Sequence, residues 1–252
     1  MTSDQKKIEY ILRIADNTLI LGQRLSEWCG HGPVLEEDIA LSNISLDYFG
    51  QATHLLKYAA EIEGKGRDED DFAFLRDDIE FRNLLMVELP NGDYAFTIAR
   101  QFFFSAWYQL FLEKLCLSKD EFLKGFATKS LKEVKYHLQH ASDWVIRMGD
   151  GTDESKQRIM KAVSDIRDFL PECFMLDELD EWALGEAIIP DITSLKEDWN
   201  KLVLDVFTEA GLELPESGWG QKGGKTGRHT EHLGFILAEM QHLQRSYPGA
   251  KW

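Results

Sequence analysis

Glu239 and His242 stand three residues apart in a stretch of helical periodicity, a spacing that sets two metal ligands on one helix face. In helical bundles such a pair serves a carboxylate-bridged pair of irons. That site takes Glu-x-x-His from each of two helices and a Glu from each of two others. This chain has one Glu-x-x-His and no second. The long apolar-periodic segments fail the test one by one. The first, 5–28, has only Asp16 near its middle. The second, 35–63, has Asp47, but Gly50 stands at i+3 where a histidine is needed. The third, 94–116, holds no Asp or Glu between Asp93 and Glu113. The fourth, 119–148, has Glu133, with Tyr136 at i+3 and His137 one residue late. The ligand set is broken on every helix, and nothing near the third can replace its missing acid. Asp47 and Glu133 therefore read as buried or half-buried polar residues that hydrogen-bond across a helical core. In the last segment Leu233, Ile236, Leu237, Met240 and Leu243 form an apolar stripe. His232 and Glu239 flank it and His242 lies nearer solvent, so the lone pair reads as exposed or interfacial.

Other chemistries find less. GWGQKGGKT resembles a phosphate loop, but Trp219 stands where the first glycine is required and no strand precedes it. The glycine-rich, basic segment 218–227 reads instead as a flexible or partner-binding loop. There is no GxSxG elbow for a serine nucleophile. Cys29, Cys116 and Cys173 are widely spaced and lack a CxxC, which argues for a reducing compartment and against a disulfide framework. A net charge of −16 makes nucleic acid an unfavourable partner, because phosphate binding needs a basic face. The most apolar stretch, Tyr94 to Leu112, is interrupted by Arg100, Gln101 and Gln109 and reads as a buried helix, not a membrane span. The opening MTSDQKK has no apolar signal core, so a cytoplasmic location is expected.

The elements that must position these residues are all helical. No stretch alternates with period two. Glycine or proline signals close the segments at 29–33, Gly64, 90–93 and 149–153, and Pro171 ends or kinks the next helix. A shorter amphipathic helix is expected over 72–88, using Phe72, Leu75, Ile79, Leu84 and Val87. Further helices are expected over 177–187, 194–210 and 229–246. The 252 residues read as a single domain, with the four long helices as a bundle and the later helices against its side. The stretch 36–61 organises the rest. Ile44, Leu55, Tyr48, Leu41, Ala52, Leu56, Phe49, Leu46 and Ile39 cover well over half its circumference, and Asn43, Asp47, Gly50, Gln51 and His54 share a narrow polar arc. So wide an apolar surface predicts a helix surrounded by other helices.

Four segments together carry a resemblance: LGQRLSEWCGHGPVLEEDIALSNISLDYFGQA at 21–52, VELPNGDYAFTIARQFFF at 87–104, KEVKYHLQHASDWVIRMGDGTDES at 132–155 and GGKTGRHTEHLGFILAEMQHLQRSYPGAKW at 223–252. They resemble the C subunits of bacterial ring-1,2-phenylacetyl-CoA epoxidases, of aerobic phenylacetate catabolism. The resemblance implies a ferritin-like four-helix bundle with additional C-terminal helices. It implies a structural subunit that carries no catalytic residue, cofactor or metal, with Asp47 and Glu133 as vestigial ligand positions. It implies a partner, the di-iron catalytic subunit of the same epoxidase, with self-association left open. Two alternatives stand beside it. One is an active di-iron oxygenase with nonstandard ligands drawn from Asp16, Asp47, Glu133 and His137. The other is a bundle that binds an acyl-CoA near 218–227.

Overall fold

The computed structural model describes residues 1–189, 192–214 and 219–250, and among these every regular element is helical, as the sequence predicts. The α-helices are α1 (Ser3–Ser26), α2 (Leu35–Glu63), α3 (Glu69–Phe74), α4 (Leu85–Glu88), α5 (Tyr94–Leu115), α6 (Glu121–Gly149), α7 (Asp153–Ile166), α8 (Glu178–Gly185), α9 (Leu195–Glu209), α10 (Glu231–Met240) and α11 (His242–Ser246). They gather into two compact units, Met1–Pro90 with Lys222–Trp252, and Asn91–Gln221.

The first unit is built on a hairpin of α1 and α2. Thr2 caps α1 with a capping box, and Gly64 ends α2 in the left-handed conformation at φ 63°, which glycine adopts without cost. Between the helices Ser45 donates its hydroxyl to the Gly22 carbonyl at 2.7 Å. The Phe49 ring lies 3.2 Å from where a Cβ at Gly22 would sit, so the small residue sets how closely the helices approach. The apolar surface of α2 is only partly enclosed. Leu41, Ile44, Tyr48, Ala52, Leu55 and Leu56 are buried, whereas Leu35, Ile39 and Leu46 are exposed. In the polar arc Gln51 is buried, Asp47 half-buried, and Asn43, Gly50 and His54 exposed. Among the described residues of the first unit, the helix is therefore not surrounded.

The expected helix over 72–88 is broken into three short turns, α3, a 3₁₀ turn at Asp78–Glu80 and α4. Capping boxes at Asp68 and Asp77 restart the chain. Two backbone N–H groups are captured by α1 instead of by a helix ladder: that of Arg82 donates to Asp16 at 2.8 Å, and that of Leu84 to Asn17 Oδ1 at 2.8 Å. The last helix is divided too. The Gln241 side chain donates to the carbonyls of Ala73 and Arg76 at the break between α10 and α11.

The second unit packs α6, α7 and α9 around α5. Asp93 caps α5 by accepting the Phe96 N–H, and Asp120 caps α6 by accepting that of Leu123. Phe102, Phe103, Phe104 and Tyr108 of α5 are buried, which makes the aromatic run core packing. Phe103 lies 5.7 Å from Trp199 and 6.0 Å from Phe207 of α9, and the Trp199 indole donates to the Phe103 carbonyl. After α7 the chain tightens into a 3₁₀ segment, Arg167–Phe174, around Pro171.

Candidate functional site

Of the acids singled out by their helix positions, Asp16 has both carboxylate oxygens engaged by its own chain. Asp16 on α1 is fully buried. Its Oδ1 accepts from Arg76 Nη2 at 2.5 Å, and its Oδ2 from Arg76 Nη1 at 3.0 Å and from the Arg82 N–H. Arg76 is held in turn by the Phe72 and Glu80 carbonyls, and its guanidinium lies 4.2 Å over the Phe81 ring. Both oxygens of Asp16 thus serve a buried ion pair, the arrangement a buried carboxylate needs to remain charged. Asp47 sits half-buried on α2 in the first unit. Glu133 is half-buried and His137 buried on α6 in the second, while Tyr136 is exposed. Among the described residues no three His, Cys, Asp or Glu side chains converge as a metal-holding group. Glu239 and His242 are exposed on α10 and α11.

A second buried cluster escapes a pattern search. Glu88, at the end of α4, is fully buried. Its Oε2 accepts from Asn83 Nδ2 at 3.0 Å and lies 2.9 Å from His229 Nδ1, and its Oε1 accepts the Thr230 N–H at 2.6 Å. The other ring nitrogen of His229, Nε2, is 3.1 Å from the Phe81 carbonyl. One nitrogen faces a carboxylate and the other a carbonyl, an arrangement that the two N–H donors of an imidazolium satisfy together. Burial opposes that charge. The Glu88 hydrogen bond and charge, with the Phe81 carbonyl and the charge of Asp16, outweigh it and hold the His229 pKa above the ordinary imidazole value. The Glu88 carbonyl accepts two bonds from Arg24 on α1. The cluster therefore fastens α1, α4 and the entry to α10 together. Its one signal in the sequence is a glutamate inside the apolar run Leu84–Leu89.

The loop 218–227 is more structured than its composition predicts. Gly218 lies outside the described residues. In the first unit, a Cβ at Gly224 would meet the Asn83 carbonyl oxygen at 2.0 Å, and one at Gly227 the Ile79 carbonyl oxygen at 2.3 Å. Gly224 and Gly227 thus permit close backbone approach. In the second unit, the Gln221 N–H donates to the Asp168 carbonyl at 2.7 Å, and Trp219 is exposed.

Residues 1–252 match the family described as phenylacetic acid catabolic protein. The chain belongs to this family. It is also 48% identical over 243 residues to the C subunit of the 1,2-phenylacetyl-CoA epoxidase of Escherichia coli (strain K12), covering 96% of this chain and 98% of that protein. Family membership carries with it the all-α, ferritin-like class expected from the sequence. Among the described residues no helix is long and apolar enough to cross a membrane.

Proposed function

We propose that this chain is the metal-free structural subunit of a ring-1,2-phenylacetyl-CoA epoxidase in aerobic phenylacetate catabolism. In this reading it is a single ferritin-like domain that holds the di-iron catalytic subunit, while oxidation occurs on that partner. Phenylacetyl-CoA epoxidation comes from the name of the Escherichia coli relative. The observation that carries the non-catalytic role is the fate of the helix-borne acids. Asp16 is consumed by Arg76 and Arg82, and α5 offers no Asp or Glu between its cap Asp93 and Glu113 near its end. The residues left, Asp47, Glu133 and His137, fall short of the four carboxylates and two histidines that a carboxylate-bridged di-iron site takes.

The test is metal counting on separated chains. The isolated chain is expected to retain no stoichiometric iron after growth and purification with iron, and Asp47→Ala to leave that result unchanged. Co-purification with the other subunits should leave all the iron on a different chain. Two irons bound by the isolated chain, and lost in Asp47→Ala, would establish the oxygenase reading instead.

A further inference from the structure

The exposed aliphatic side chains of α2 do not fit a helix that ends its work inside one chain. Leu35 is 72% exposed, Ile39 50% and Leu46 65%. At 100° per residue these three lie within about 40° of one another and form a stripe about 16 Å long. Scattered surface leucines are ordinary, but aliphatic residues aligned on one helix face mark an interaction site. The stripe is flanked by carboxylates, Glu36 and Asp47 on one side and Asp38 on the other. Lys57 shares the face about three turns beyond Leu46, one turn before Glu61.

We propose that this stripe is the seat of another subunit of the epoxidase, one that presents an apolar helix face edged with Lys and Arg. The proposal rests on the subunit reading above. Charge decides the occupant. A second copy packed about a two-fold axis would set the Glu36 and Asp47 flank of each chain against the other's acidic flank, on chains that each carry −16. A basic-edged partner turns the same carboxylates into complementary contacts. The width of the apolar surface on α2 then has two causes: one half is buried against α1, and the other awaits a second polypeptide.

The experiment measures binding of the full-length chain to the other purified epoxidase subunits by light scattering and biolayer interferometry, at low and moderate salt. Ile39→Glu/Leu46→Glu is expected to melt as the parent does and to bind at least tenfold more weakly. Leu46→Gln, a milder change, is expected to weaken binding by a smaller factor. Glu36→Lys should weaken binding at low salt and flatten its salt dependence. Parent-like binding by the double variant, or by Leu46→Gln should the double variant not fold, overturns the proposal. So does an isolated parent chain that dimerises and is made monomeric by these substitutions, since a second copy then covers the stripe. A folded parent chain that binds none of the other subunits overturns the subunit reading itself, an outcome distinct from failure of the surface alone.

Discussion

Arg76 and Asp16 meet 60 residues apart as a two-pronged ion pair, 3% and 0% exposed, deep in the first unit. Taking both charges out of water is costly, and the pair holds only because the remaining hydrogen-bonding groups are filled by Arg82, Phe72 and Glu80. Its value therefore appears most clearly when one partner is removed.

Asp16→Ala leaves the Arg76 guanidinium buried without its counter-charge. The expected cost is about 3–5 kcal/mol in urea unfolding, the range for breaking a buried pair. Asp16→Leu/Arg76→Met removes both charges and should cost less than the single change, because no unpaired charge remains buried, although the Arg82 N–H and the Phe72 and Glu80 carbonyls lose their partners. A single variant as stable as the parent would mean that the pair carries no structural role.

His229 makes stability depend on pH in a defined direction. Its folded pKa is raised above the ordinary value by Glu88 and its neighbours, after burial is overcome. The stabilisation is then complete below the unfolded pKa, about 6.5, and fades as pH rises through the folded value. Comparing the parent with His229→Gln in thermal melts isolates this contribution from other titrating groups. The stability gap between them should be widest at pH 6 and shrink toward pH 9. A gap that grows with pH would mean the ring is neutral in the folded state.

What the sequence makes legible is what local chemistry decides. Gly64 as a stop and α5 as a buried helix follow from residues within a turn or two of the feature. The segment 72–88 does not, because Asp16 and Asn17, more than sixty residues away, take backbone donors that a continuous helix would have used. Its pattern fits one amphipathic helix, yet Leu75 and Ile79 are exposed while Phe72, Leu84 and Val87 are buried. The broad apolar surface of α2 is a genuine signal with an ambiguous meaning. Hydrophobicity records that a face is to be covered, but not whether the cover belongs to the same chain. Glu88 and His229 stay hidden for a related reason: a buried acid is recognisable only beside the partners that satisfy it, and here they lie 141 residues apart.

Two glycines make opposite predictions from the same substitution. Gly224 has the Asn83 carbonyl oxygen 2.0 Å from the site of a Cβ, and that oxygen belongs to backbone fixed by neighbouring hydrogen bonds. Gly224→Ala must therefore displace the loop from the 83–85 backbone, at a cost of about 1–3 kcal/mol, typical of overpacking. Gly50 lies in the interior of α2 with open space around its added Cβ. Gly50→Ala should stabilise by about 0.5–1 kcal/mol, because the alanine loses less backbone freedom on folding. Chemical unfolding of both variants gives the two signs in one measurement. If Gly224→Ala were neutral, the loop could not be seated on Asn83 as described. If Gly50→Ala were destabilising, that shoulder of α2 would have to be covered where this chain alone leaves it open.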